Sequence, residues 1–288
     1  MCSSDLVYEW SPLNGNLYVG HDGGICYTAN GGITWPEITG NLAITQIYKI
    51  GQGVSNTNYM LFGCQDNGDA ATIDGSTFTT TRGGDGMECI IDYNNINYCY
   101  NAGHNGSIKR STTGLTGSYS TIANSGVNGI DESGAWVTPY FLHNTDPNTM
   151  FIGYKNVWRS NNVRNTPSTS VVWTKISSGE TYTCSVLEVS LANPDIIYAV
   201  RSGAIKRTDK ANDLAGSVTW TSCTLPDGQT PTALETHPTD ANIVYATAGY
   251  NVYKSSDKGS TWNDISGNLP ALSINCIVYD QTSTEGIY

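Results

Sequence analysis

The sequence predicts an all-β fold, a seven-bladed β-propeller of four-stranded antiparallel blades with the last blade truncated. Three observations predict it. A short apolar run, usually built on Tyr, recurs along the whole chain. An alternating apolar strand precedes each run. A polar turn ending in Trp follows several of them. The runs are LYVG (Leu17–Gly20), MLFG (Met60–Gly63), INYCY (Ile96–Tyr100), MFIG (Met150–Gly153), IIYAV (Ile196–Val200), IVYAT (Ile243–Thr247) and GIY (Gly286–Tyr288). Aligned on Tyr18, Leu61, Tyr98, Phe151, Tyr198, Tyr245 and Tyr288, they are spaced by 43, 37, 53, 47, 47 and 43 residues. A four-stranded blade repeats every 40–50 residues or so. A generic β-sandwich has no reason to keep such a period.

Each unit then reads as four strands. Strand A alternates polar and apolar residues: VYEW, AITQIYKI, ECIIDY, WVTPYFLH, CSVLEVS, TALETH and INCIVYD. Period-2 patterning between Gly, Asn and Pro clusters is the signature of strands. Strand B is the Tyr-rich run. Strand C leads into the polar turn, and strand D starts near its Trp. The sequence shows no convincing helix. The blades are expected at about 7–40, 41–82, 83–124, 125–178, 179–226, 227–268 and, in part, 269–288, all in one propeller covering 7–288.

The clearest turn is SSDKGSTW, with Ser255, Asp257, Gly259 and Trp262 in the pattern Ser-x-Asp-x-Gly-x-x-Trp. Ser and Asp side chains bond nearby backbone amides, Gly adopts angles other residues resist, and Trp covers the turn. TANGGITW repeats it with Thr28, Asn30, Gly32 and Trp35. RTDKAND, WRSNN and KRSTTG keep progressively less of it. This pattern resembles the Asp-box of sialidase-like β-propellers. LYVGHDGGICYTANGGITW, LFGCQDNGD, GGDGMECIIDY and VYKSSDKGSTWNDISGNLP resemble secreted propellers with BNR repeats, those exported by type IX secretion above all, and more distantly the xyloglucanase and sortilin propellers. The resemblance implies a secreted or cell-surface protein with glycan or extracellular protein as partner.

Composition sets further bounds. Of 288 residues, 39% are hydrophobic, enough for a core shared between blades, and 31 Gly and 18 Tyr suit many short strands and tight turns. The net charge of −11 argues against nucleic acid or an anionic membrane as partner. No apolar stretch is long enough for membrane insertion. Eight Cys lack CxxC spacing; they read as buried free thiols, with one or two disulfides open to an exported protein. The opening MCSSDL reads as translated sequencing adapter, so residues 1–6 are set aside. The seventh unit stops inside its strand B. Together these ends lead us to expect a gene fragment, with the native start, export signal and downstream sequence beyond it.

Propeller geometry supplies a map of the loops. The C–D turns lie at the rim, away from the usual ligand funnel, so Thr28, Asn30, Gly32, Trp35, Ser255, Asp257, Gly259 and Trp262 are expected to be structural. The B–C and D–A loops line the funnel. They bring forward Asp22 and Asp85 as candidate catalytic acids, and His21, Asp66, Asn67, Glu88, His104, Lys155 and Arg201 as candidate ligand contacts. Carboxylates facing one cleft repel, so one can hold a proton while its partner stays ionised, the arrangement of a glycoside hydrolase. HDGGICY faintly resembles the Asp-x-Gly-Gly segment that holds a catalytic Asp in xyloglucanases, although here Gly-Gly follows Asp22 directly. Asp-Gly and Asp-Asn-Gly are also ordinary turn sequences. Turn-making, ligand contact and catalysis therefore all remain open for these acids. Trp10, Trp136 and Trp158 could stack on sugar rings or pack between blades.

No cofactor and no metal is expected. Asp66, Asn67 and Asp69 offer hard oxygens for calcium, but QDNGD lacks the spacing of a calcium loop. Four scattered His show no metal spacing. Six Arg include no Arg-Ile-Pro motif of a sialidase, and Arg110, Arg159 and Arg207 sit in strand C, just ahead of the polar turn. No GxSxG elbow or phosphate-binding loop appears. The leading expectation is a non-catalytic exported module binding glycan or protein through its funnel face. The alternatives are a xyloglucanase-like glycoside hydrolase acting on polysaccharide and an architectural repeat of a large cell-surface protein.

Overall fold

The computed structural model describes residues 7–21, 24–38, 40, 45–226, 228–280 and 286–288, leaving aside the side chains of Val7, Tyr8 and His21. Residues 1–6, set aside above as adapter, lie outside the described residues, as do Asp22 and Gly23.

The described residues form six antiparallel sheets in chain order. The first has three strands: β1 (Val7–Trp10), β2 (Leu17–His21) and β3 (Gly24–Thr28). Each of the next five has four. They are β4 (Ile47–Gln52) to β5 (Met60–Cys64), β6 (Gly68–Thr72) and β7 (Thr79–Arg82); then β8 (Gly86–Ile91), β9 (Cys99–Gly103), β10 (Ser107–Ser111) and β11 (Ser120–Ala123). The fourth sheet is β12 (Tyr140–Leu142), β13 (Met150–Gly153), β14 (Val157–Ser160) and β15 (Thr174–Lys175). The fifth is β16 (Val186–Val189), β17 (Ile197–Arg201), β18 (Ala204–Thr208) and β19 (Thr221–Cys223). The sixth is β20 (Ala233–Thr236), β21 (Val244–Ala248), β22 (Asn251–Ser255) and β23 (Asn263–Asp264). A bridge between Tyr279 and Ile287 begins a further unit, with Tyr279 Oη 3.1 Å from His237 Nε2 of the sixth sheet. Helix is confined, among the described residues, to three single 3-10 turns.

Every sheet is a meander whose neighbours in space are neighbours in sequence, so the chain is all-β and propeller-like in its repeat. Register defines equivalent positions. Tyr198 pairs with Arg207, Phe151 with Arg159 and Tyr245 with Lys254, and in the third sheet it is Tyr100 that pairs with Arg110. The sequence alignment on Tyr98 is therefore two residues out, because INYCY offers two Tyr with the same strand parity.

The core lies between sheets. Tyr100, Met150, Trp158 and Trp173 share one cluster across the third and fourth, and Phe151, Leu187 and Ile197 another across the fourth and fifth. β8 packs directly on β4 and β5. That approach is close enough that a Cβ on Gly51 would lie 2.6 Å from the Cys89 carbonyl oxygen. Cys64, Cys89, Cys99, Cys184 and Cys223 are buried free thiols.

One inter-sheet contact repeats. Arg110 Nη1 donates to the Val163 carbonyl, Arg159 Nη1 to that of Ala211 at 2.5 Å, and Arg207 Nη1 to that of Lys258 at 2.5 Å. Each acceptor is the third residue after the Ser or Thr that opens the next sheet's polar turn. Trp173 Nε1 and Trp220 Nε1 likewise donate back to the Ile122 and Ile176 carbonyls, each at 2.8 Å. Arg and Trp thus tie the third, fourth, fifth and sixth sheets to one another in turn through backbone oxygens that no strand ladder satisfies.

Candidate functional site

In a meander, the B–C and D–A connections share one end of every sheet, and the A–B and C–D turns the other. At the C–D end, Ser255 Oγ accepts from Gly259 N at 2.7 Å, while Asp257 Oδ1 accepts from Thr261 N at 2.8 Å. The hydroxyl and amide of Thr261 and the Ser255 hydroxyl pull the Asp257 carboxyl down to about 2. Thr28 Oγ1 accepts from Gly32 N at 2.9 Å and Asn30 Oδ1 from Thr34 N at 3.0 Å, and Trp35 Nε1 donates to the Gly32 carbonyl. These groups satisfy their own turns. A third such turn escaped the sequence reading. Thr72 Oγ1 accepts from Gly75 N at 2.9 Å, and Asp74 Oδ1 from Ser76 N and Thr77 N at 2.8 and 2.7 Å. Its sequence, TIDGSTF, ends in Phe78 where the others carry Trp.

At the opposite end the loops of adjacent sheets are pinned to each other. Glu132, from the loop before β12, accepts from Asn156 N at 2.8 Å and Asn156 Nδ2 at 2.6 Å, and from Trp158 Nε1 at 3.2 Å; Lys175 Nζ lies 2.9 Å away. Burial pushes this carboxyl up, but these donors outweigh it and hold it below its ordinary range. Asp85 Oδ1 accepts from the backbone N of Asp66 at 3.0 Å, steadying a turn in which Asp66 has φ 58°. Asn67 bonds back to the Gln65 carbonyl. Asp85, Asp66 and Asn67 therefore come together as turn chemistry. Asp69 points elsewhere, into the fully buried space between the second and third sheets, near Cys89. Among the described residues, no three His, Cys, Asp or Glu side chains group as metal ligands would.

Two features of this face are unaccounted for by turn-making. The first is a continuous polar–aromatic row. His104 stacks on Trp136, ring centres 5.0 Å apart and planes 5° from parallel. Trp136 Nε1 donates to Tyr48 Oη at 3.3 Å, and Tyr48 Oη to Gln65 Oε1 at 2.9 Å. The backbone holds the row rigid: Asn105 N donates to the Trp136 carbonyl, and Gly134 N to that of Asn105. His104 is exposed and Trp136 half-buried, so the row presents a ring surface to solvent. It runs from β4 and the β5–β6 turn of the second sheet to the β9–β10 turn of the third and the loop that leads into the fourth.

The second is an axial channel of about 530 Å³ between the A strands, lined among others by Lys49, Glu88, Tyr140, Phe141 and Glu188. Lys49 Nζ stands 3.9 Å from a Glu88 oxygen. Burial raises the Glu88 carboxyl to about 7, with Lys49 opposing. Burial, then the charge of Glu235, pushes the Glu188 carboxyl well above its ordinary value. Glu188 and Glu235 were missed in sequence because VLEV and ALET read as alternating apolar strands; that alternation itself aims the Glu toward the axis. Lys155 is exposed and offers only its carbonyl to Arg201 Nε, at 2.5 Å. Asp22 and the His21 side chain lie outside the described residues.

No protein-family model matches the chain, and no curated protein does. Solved structures match its fold. An ancestral GH74 enzyme aligns with a TM-score of 0.62 at 13% identity, over 79% of this chain and 32% of its own. A GH74 enzyme of Niastella koreensis gives 0.59 at 15% identity, over 90% and 44%. YCF48 from Cyanidioschyzon merolae gives 0.59 at 12% identity, over 97% and 91%, and a second YCF48 structure, bound to D1 peptide, gives 0.56. The chain spans less than half the length of the GH74 enzymes it matches. The class is thereby defined: an all-β propeller module, of the architecture shared by GH74 enzymes and YCF48. Among the described residues no helix is long and apolar enough to cross a membrane.

Proposed function

We propose that this chain is a non-catalytic, exported propeller module that binds glycan or extracellular protein through the funnel face, with the His104–Trp136–Tyr48–Gln65 row as its principal contact. The row carries the reading. It joins exposed ring surface to fixed hydrogen-bonding groups, the combination that sugar rings and peptide side chains both use. The similarity to YCF48 over nearly the whole of both chains supports it, since one of those structures holds a peptide. Glycan arrays and peptide arrays probed with the wild type and with Trp136→Ala test it. Ligands captured by the wild type and lost by Trp136→Ala support the reading; an array on which every captured ligand binds both proteins equally sinks it.

One observation favours a second reading, a glycoside hydrolase. Glu88 holds its proton to about pH 7 within the axial channel, as a general acid must. The likeness to GH74 enzymes agrees with that, but Asp85 is engaged by the Asp66 backbone. Release of reducing sugar from polysaccharide, abolished by Asp22→Asn, Asp85→Asn or Glu88→Gln, would establish the hydrolase. No ligand on either array and no hydrolysis would leave the architectural role.

A further inference from the structure

Between the fourth and fifth sheets the same face holds a separate cavity of about 240 Å³, lined by Glu180, Tyr182, Arg201, Ser202, Ala204 and Lys206. Arg201 closes β17 and is 5% exposed. Its turn, Ser202–Gly203, has positive φ at both residues (43° and 86°), the tight hairpin that lets strands B and C pair through Arg201 and Ala204. Arg201 Nε donates to the Lys155 carbonyl, which fixes the guanidinium plane. Its Nη2 is buried with no hydrogen-bond partner among the described residues. A buried guanidinium nitrogen left unpaired is costly, and such groups are normally satisfied. The one carboxylate lining the cavity does not serve it: Glu180 Oε1 is bonded by Lys206 Nζ at 2.7 Å. The cavity therefore carries one uncompensated positive charge. Beside it stands Tyr182, 63% exposed, an aromatic wall with nothing packed over much of its surface.

We propose that this cavity is a subsite for a single acidic sugar, a hexuronate residue of a glycan. Its carboxylate pairs with the Arg201 guanidinium and its ring lies on Tyr182, with the Ser202 hydroxyl near the ring oxygens. A carboxylate matches the single unpaired charge, and a guanidinium presents parallel donors to it. A phosphate dianion brings surplus charge into a cavity that already holds Glu180. The volume is below that of drug-sized ligand sites, which suits one ring. The proposal rests on the glycan side of the proposed function but on different residues from the aromatic row.

The test is titration of the full chain with D-galacturonate and with D-galactose, which has the same ring without the carboxylate, by ligand-observed NMR. Galacturonate binds and galactose binds at least about tenfold more weakly, the loss expected when a charged hydrogen-bond pair goes unmade. Tyr182→Ala, a change at an exposed side chain, weakens galacturonate several-fold, and Arg201→Gln abolishes binding. Trp136→Ala leaves galacturonate binding intact while removing ligands of the aromatic row, so the two readings fail separately. Equal binding of galactose, no binding of galacturonate, or indifference to Tyr182→Ala would overturn the proposal. N-acetyl-aspartate binding as tightly as galacturonate would overturn it too, by assigning the cavity to acidic peptide side chains.

Discussion

Replacing Arg159 by leucine probes the tie between sheets most cleanly. Arg159 is 7% exposed, and its Nη1 donates to the Ala211 carbonyl at 2.5 Å and to the Asp213 carbonyl at 2.9 Å. A hydrogen bond from a charged donor is worth about 1.5–3 kcal/mol. Ala211 is fully buried, so its carbonyl loses its partner with no water to replace it; the Asp213 carbonyl recovers part of its loss from solvent. Leucine leaves no stranded charge, so the desolvation of the guanidinium is relieved in return. The net cost comes to about 3 kcal/mol. At about 2–4 °C per kcal/mol for a chain approaching this size, the melting temperature falls by about 6–12 °C. Thermal melts followed by circular dichroism measure it. Arg110→Leu and Arg207→Leu behave alike, because they make the same contact one sheet earlier and one later. A melting temperature within about 1 °C of the wild type for all three would refute the claim that these arginines bind sheet to sheet.

Further outcomes follow from the same contacts. Ser255→Ala leaves the Gly259 N–H unpaired at a fully buried position and destabilises by about 1–3 kcal/mol, read from urea melts; a change below about 0.5 kcal/mol would contradict the role of that hydroxyl. Burial raises the Asp69 carboxyl from its ordinary 3.8 to about 7, against the opposing charge of Arg82. The folded state then holds a proton that the unfolded chain releases, so this group's contribution is greatest below about pH 4, declines as pH rises to 7, and levels off above. Wild type therefore loses stability relative to Asp69→Asn across that window, by on the order of 4 kcal/mol; a gap that stays constant with pH would show that Asp69 is not protonated there. Glu88→Gln gives a smaller effect of the same sign, because burial lifts its carboxyl over a shorter interval, from an ordinary 4.5 to about 7.

The parts of this molecule that repeat were legible in the sequence, and those that depend on a neighbour in space were not. Ser255–Trp262 and Thr28–Trp35 could be read because the Ser or Thr and the Asp or Asn that shape each turn find their partners within the same eight residues. The Thr72–Thr77 turn makes corresponding hydrogen bonds in one residue fewer and lacks the Trp that flags the others. Arg110, Arg159 and Arg207 were visible as a recurring position, yet their acceptors lie about fifty residues on, in the next sheet. On the funnel face, His104, Asp66, Asp85, Glu88 and Arg201 were picked out by loop position alone. That is why turn-makers such as Asp85 and a buried cation such as Arg201 came forward together. Tyr48 passed unnoticed inside a strand, although it links Trp136 to Gln65. Glu188 joins Lys49 and Glu88 around one axial channel, within reach of the charge of Glu235, only once the A strands are brought together.

The most direct measurement is the affinity of the best array ligand for three proteins: the wild type, Trp136→Ala on the funnel face, and Ser260→Ala at the exposed rim turn. Loss of a central aromatic anchor costs at least about 2 kcal/mol in most interfaces, or roughly thirtyfold in affinity. We expect Trp136→Ala to weaken binding by that much and Ser260→Ala to leave it unchanged. Unaltered binding by Trp136→Ala would remove the aromatic row as the principal contact, and loss of binding through Ser260→Ala would place the ligand on the opposite end of the sheets; either result would contradict the account.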